Sequence, residues 1–234
     1  MRLICFGFDL FYDALRVVVE RPGNTVLKLY SFPSDGFFDF NDQLQTLASD
    51  KKIPFTQEPI SAEELRWQFE ENGCELAFCA GYASRIPVEA TPRFRGINLH
   101  PSLLPQGRGP WPLPHVLLKG LNQSGVTAHR LTASFDEGEI LLQESFHIDK
   151  EETYGSLAQK TARTAAEMTR RLFSDLDGYF RGAYAQGKGE YWPEPSDRER
   201  TIYRNTTPER AALLRRAFGD NYLLYSEQDE PEDV

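Results

Sequence analysis

Apolar residues recur along this chain in two alternating rhythms. Short, dense runs at residues 3–8, 25–31, 76–80 and 96–100 read as buried strands, whereas the stretches 40–49 and 62–72 space their apolar positions at helical intervals. After Pro112 the pattern predicts a short helix to Gly120, then two strands over 125–133 and 140–148, joined through a Phe-Asp-Glu-Gly-Glu loop. Thr153 supplies an N-cap for a long helix on which Leu157, Thr161, Ala165, Met168, Leu172 and Leu176 share one face, a stripe suited to core packing. A final helix is expected over 208–218. Strands separated by helices imply parallel pairing through right-handed crossovers, so the expected fold is α/β: a doubly wound, mostly parallel sheet.

Composition sets the domain plan. A chain of 234 residues, 40% hydrophobic and 26% charged, can bury a core without disulfide staples. The expectation is a main domain over 1–185 and a small C-terminal appendage over 186–225, which has too little apolar sequence for a core of its own. An acidic tail over 226–234 is expected to be disordered. The net charge of −9 repels a phosphate backbone, which argues against a nucleic-acid partner. Asp9 and Asp13 interrupt the first residues, so no signal-peptide core is expected, and no later run would span a bilayer; the expected location is cytoplasmic, with no membrane partner. Cys5, Cys74 and Cys79 lack metal-ligand spacing and read as buried free thiols, and no metal is expected.

Candidate chemistry concentrates at the end of the strand 96–100. Successive strand residues alternate faces, so Asn98 and His100 point the same way and Leu99 the other, and Pro101 favours the extended backbone that this requires. An amide and an imidazole then project together from a strand end, where open α/β sheets place their ligands.

Four ordered motifs carry a resemblance to the folate-dependent formyltransferases. They are Asn-x-His-Pro-Ser-x-Leu-Pro from Asn98 to Pro105, the pair Arg108 and Gly109, Gly-x-Thr-x-His at Gly125, Thr127 and His129, and Asp-x-Gly-x-Ile at Asp136, Gly138 and Ile140. The resemblance covers about residues 76–148 and implies a formyltransferase-type Rossmann-like fold, with 10-formyltetrahydrofolate as the co-substrate that donates a formyl group to an amine. Amine attack on the formyl carbon builds negative charge on oxygen, which the Asn98 amide can meet with an N–H. A group titrating near neutrality must handle the amine proton; His100 suits this either as base or, protonated, as a second oxyanion stabiliser. Asp136 is implied as the carboxylate that favours the charged imidazole and holds a relaying water. For the folate pocket the resemblance implies Gly81, Tyr82, Arg85 and Ile86, facing the loop of Asp136, Glu137, Gly138 and Ile140. His129 reads as support for this site, and His115 and His147 as structural or solvated.

The acceptor is read from what surrounds these motifs. The first loop, Gly-Phe-Asp-Leu-Phe-Tyr-Asp, lacks the glycine-rich phosphate cradle of glycinamide ribonucleotide formyltransferases. Methionyl-tRNA formyltransferases share the central motifs but add a basic C-terminal domain, whereas this chain ends in acidic residues. The resemblance is strongest to the short N-formyltransferases of nucleotide-linked amino sugars, often homodimers, whose acceptors include dTDP-4-amino-4,6-dideoxyglucose used for cell-surface glycans. On that reading Phe8, Tyr12 and Trp111 edge the nucleotide base and Arg108 meets a phosphate; equally, the aromatics can belong to the core and Arg108 can brace its loop. The alternatives are formyl transfer to glycinamide ribonucleotide or methionyl-tRNA, or a non-catalytic protein that has kept the folate fold.

Overall fold

The computed structural model describes residues 1–34, 40–219 and 223–231. The chain runs β1 (Arg2–Gly7), α1 (Tyr12–Glu20), β2 (Thr25–Tyr30), α2 (Asp42–Asp50), β3 (Phe55–Thr56), α3 (Ala62–Glu70), β4 (Leu76–Ala80) and β5 (Gly96–His100). It continues through α4 (Pro112–Leu118), β6 (Gln123–Arg130), β7 (Ile140–His147), α5 (Tyr154–Leu172), α6 (Leu176–Arg181), β8 (Thr201–Ile202), α7 (Pro208–Phe218) and β9 (Leu224–Tyr225). Seven strands form one sheet in the order β3-β2-β1-β4-β5-β6-β7; the first five pair in parallel and the last two antiparallel. The expected α/β fold with a mostly parallel sheet is the observed one.

The central strands are apolar on both faces because both faces are covered. Leu3, Cys5 and Phe78 face the layer of α1 and α5, while Ile4, Phe6, Ala77 and Cys79 face Leu65 and Phe69 of α3. The three cysteines are buried and free, as expected. Burial pushes the Cys79 thiol up to about 12 and raises Cys74 to about 11, so neither is a ready thiolate at neutral pH.

Two local departures from the pattern have clear causes. Helix α1 was not evident in the sequence, because three consecutive valines, Val17 to Val19, favour strand and mask its amphipathic face. Packing decides for helix: Ala14, Leu15 and Val18 are buried in the core shared with α5. The long stripe from Leu157 to Leu176 does not lie on one helix. Helix α5 opens on a reciprocal capping box between Thr153 and Ser156 and stops at Phe173; the Asp175 side chain then caps a new helix by accepting from the Gly178 N–H at 3.0 Å. Leu176 therefore belongs to α6, although it is buried in the same core.

The order of strands sets the position of the site. From β1 the chain moves outward to β2 and β3, then returns to the other side of β1 to lay down β4 and β5. Connections leave the carboxyl ends of β1 and β4 in opposite directions, opening the crevice in which such sheets bind ligands.

The segment after α6 returns to the main sheet. Tyr184 exchanges backbone hydrogen bonds with Ile140, and Arg108 bridges to Tyr191. A third apolar cluster joins Leu113 and Leu117 of α4, Trp192, and Leu214 and Phe218 of α7. Within the tail, Arg204 pairs with Asp229 and Arg198 with Glu230; residues 232–234 of the expected disordered tail lie outside those described.

Met168 is fully buried on α5 between α1 and the sheet. Met168→Ala is expected to destabilise the fold by about 2–5 kcal/mol, read as a lower urea midpoint at an unchanged denaturant slope.

Candidate active site

Strand β5 lies between parallel β4 and antiparallel β6, which places Asn98 beside Cys79 on one side and His129 on the other. His100, two residues on, shares the face of Asn98 as the alternation requires. The Asp136 loop between β6 and β7 brings the carboxylate over both imidazoles: Asp136 Oδ1 is 3.4 Å from His100 Nδ1 and 3.6 Å from His129 Nε2. Asp136 holds a left-handed backbone, φ 55°, a conformation that an aspartate tolerates better than most side chains. Two neighbours brace this turn. The Gln186 amide donates to the Asp136 and Gly138 carbonyls at 2.8 and 2.7 Å, and the Gly109 N–H donates to Asp136 Oδ2 at 3.0 Å.

The hydrogen-bond partners fix the protons. His129 Nδ1 lies 2.9 Å from the Arg130 carbonyl, which can only accept, so Nδ1 carries the hydrogen and Nε2 is left with its lone pair. That lone pair accepts one N–H of Asn98 Nδ2 at 3.1 Å, which orients the amide and leaves its second N–H for a ligand. Asn98 Oδ1 is buried with no hydrogen-bond partner among the described residues, an acceptor placed beside that donor. By the same logic His100 Nε2 donates to the Gly107 carbonyl at 2.7 Å, so the neutral ring presents a bare Nδ1 toward Asp136.

Burial dominates the titration of His100. It pushes the imidazole below its ordinary value of 6.5, with a smaller contribution from His129, against the opposing pull of Asp136 and the Gly107 carbonyl. Burial also disfavours the charge on Asp136, yet the attraction of His100 and His129 for it when either imidazole is protonated, together with the Gly109 N–H, outweighs burial and holds the carboxyl well below the usual range. The result is an ionised carboxylate beside a neutral base. A proton arriving at Nδ1 forms an imidazolium with an acceptor on each side.

A cavity of about 370 Å³ lies over these groups, a volume typical of small-molecule sites. Its wall takes in Asn98, His100, His129 and Asp136, the segment from Gly81 to Ile86, and Trp111. Phe8, Phe32 and Tyr82 line one side, with ring centroids 5.6 Å apart for Phe8 and Phe32 and 6.2 Å for Phe32 and Tyr82. Of the residues proposed from sequence, Phe8, Gly81, Tyr82, Arg85, Ile86, Asn98, His100, Trp111 and Asp136 converge on this space.

The others lie outside its lining. Tyr12 packs against the α1 core and under the Arg16 guanidinium. Ile140 is buried and bonded to Tyr184, and Gly138 is held by Gln186. Arg108 gives Nε and Nη2 to Gln186 Oε1 at 3.2 and 2.9 Å and lies 3.5 Å from Glu137, so it braces the Asp136 loop. Sequence reasoning missed Gln186 and the cavity aromatics Phe32, Phe135, Tyr154 and Tyr191. They come from distant parts of the chain, Phe32 after β2, Phe135 in the Asp136 loop, Tyr154 at the start of α5, and Gln186 and Tyr191 in the segment after α6, so only tertiary structure brings them together.

Comparison with known proteins identifies the family. The formyl transferase family model matches residues 13–172, more than half of the chain. A methionyl-tRNA formyltransferase of Ehrlichia ruminantium (strain Gardel) is 30% identical over 171 residues, 70% of this chain and 56% of that protein. The chain thus spans about half the length of the curated relatives it matches. Among solved structures, a sugar N-formyltransferase from a Shewanella species superposes with a TM-score of 0.73 at 19% identity, covering 100% of this chain and 98% of that one. An N-formyltransferase from Helicobacter canadensis, solved with folinic acid and dTDP-3-aminofucose, superposes with a TM-score of 0.70 at 17% identity, covering 96% and 83%. With the family match spanning β4 to β7 and the side chains that meet there, the chain belongs to the formyl transferase family.

Proposed function

We propose that this chain transfers a formyl group from 10-formyltetrahydrofolate to the amine of a nucleotide-linked amino sugar. The observation that carries the amino-sugar reading is the fit of the whole chain, C-terminal segment included, to a solved sugar N-formyltransferase. A net charge of −9 points the same way, since it favours a small acceptor over tRNA. Methionyl-tRNA is the second reading, favoured by the 30% identity to such an enzyme over 171 residues.

The donor set fits a folate. A flat pterin needs apolar walls with a few convergent polar groups, and the cavity offers aromatic faces beside the backbone of Gly81 to Ile86. At the reacting end, the amine nitrogen attacks the formyl carbon, and the free N–H of Asn98 meets the oxygen that gains charge. His100 Nδ1 takes the amine proton and Asp136 receives the resulting imidazolium. The bond from the formyl carbon to the folate nitrogen then breaks, that nitrogen gains the proton, and tetrahydrofolate leaves with the formamide formed. His129 holds the Asn98 amide in the donating orientation throughout. The cavity aromatics Phe135 and Tyr191 are each 61% exposed, a chemistry suited to the ring systems of a nucleotide acceptor. A cytoplasmic homodimer acting in glycan synthesis would be consistent with this acceptor.

An assay with 10-formyltetrahydrofolate against nucleotide-linked 3- and 4-amino sugars, glycinamide ribonucleotide and charged initiator tRNA tests the acceptor. Turnover is expected with an amino sugar, and turnover with the ribonucleotide or the tRNA alone would overturn the reading. Asn98→Ala and His100→Ala are each expected to lower kcat by about 100-fold with the thermal transition retained; an unchanged rate removes that residue from the chemistry. Because burial lowers the His100 pKa, kcat/KM should rise with pH along a limb below 6.5 and stay level from there to pH 8. Asp136→Asn removes the charge that raises this pKa, so the limb should move to lower pH while kcat falls; a limb that stays put excludes the coupling.

A further inference from the structure

We propose that Trp192 is a positioning residue for the reaction, clamping from the C-terminal segment the two loop glycines whose backbone groups hold His100 and Asp136. The inference rests on formyl transfer at this site but not on which amine accepts the group. Gly107 supplies the carbonyl that takes the Nε2 hydrogen of His100, and Gly109 supplies the N–H on Asp136 Oδ2. Both lie against Trp192. A Cβ added at Gly107 would sit 2.6 Å from the indole, and one added at Gly109 would sit 2.2 Å from the Trp192 carbonyl, on a backbone whose φ of 119° already favours glycine.

The contact is zipped by the backbone. The Gly107 and Arg108 N–H groups donate to the Glu190 carbonyl at 3.0 and 3.1 Å, and the Trp192 N–H donates to the Arg108 carbonyl at 2.6 Å. The clamp is itself anchored. His115 of α4 donates from Nε2 to the Pro193 carbonyl at 2.6 Å, and the Trp192 ring is buried with Leu113, Leu117, Leu214 and Phe218. The indole thus stands between the α4 and α7 cluster on one side and the catalytic loop on the other. Without it, Gly107 loses the surface that sets its distance to β5 and the Trp192 backbone that packs on Gly109 loses its anchor, and a displacement of about 1 Å at such a point is enough to cost orders of magnitude in rate.

Among the described residues, the charged and titratable groups that act on His100 are Asp136 and His129. Since burial is the strongest influence on its titration, loosening the loop should move its pKa up toward the ordinary value. The chain has four histidines, so ¹⁵N-histidine labelling can follow the ring of His100 directly. In Trp192→Ala the fixed Nε2–H tautomer of His100 is expected to give way to a mixture and its titration to move up. kcat should fall about 10-fold or more while KM for the folate stays within about threefold, and Trp192→Phe should recover most of the rate. Should the alanine variant not fold, His115→Phe, which removes the anchor at Pro193, is expected to give the same changes in smaller degree. A folded variant whose His100 tautomer and titration match the wild type overturns the proposal, as does a rate loss that follows only the unfolded fraction. Absence of turnover by the wild type with every acceptor would strike the functional reading alone, because the titration decides on the clamp without any acceptor.

Discussion

One ionised carboxylate in a largely dry place organises this molecule. Asp136 has a side chain only 11% exposed, and a charge so placed costs several kcal/mol unless polar partners replace the lost water. Its partners come from distant parts of the chain: His100 at the end of β5, His129 on β6, and the Gly109 N–H in the loop between β5 and α4. The pairing of β5 with β6 puts the two imidazoles on one surface, and the left-handed turn at Asp136 delivers the carboxylate to it. A fold that satisfies this one charge thereby brings an amide, two imidazoles and a carboxylate to one surface.

The strand assignments were legible because central strands covered on both faces become continuous apolar runs, and β4 and β5 were read with their observed bounds. Helix α1 was hidden by its valines, and the division of α5 from α6 by a cap at Asp175, which lies off the apolar stripe that continues from Leu172 to Leu176. At the site, the shared face of Asn98 and His100 follows from strand geometry alone. Their meeting with Asp136 does not, since the two loops are linked only through tertiary structure; the motif resemblance supplied that link. His129 is more intimate than its sequence position suggests, because its tautomer is set by the backbone carbonyl of the next residue, which no pattern of side chains reveals.

Arg108 shows how a plausible ligand for a phosphate can be a structural brace. Its guanidinium meets the Gln186 side chain, and that same amide spans the Asp136 and Gly138 carbonyls. The pair joins the loop after β5, the loop after β6 and the segment after α6 in one network. A sequence reader sees a cation beside a glycine, whereas the structure uses it to fix the turn that carries the buried charge.

The exposed rings of Phe135 and Tyr191 have a different standing from everything beneath them. They line the same cavity as Asn98, His100 and Asp136, yet neither ring belongs to the apolar core clusters. The rim of the cavity is thus solvent-facing, while its floor is tied into the sheet. Such a division separates what keeps the cavity in place from what meets whatever enters it, so the rim can vary while the floor stays fixed.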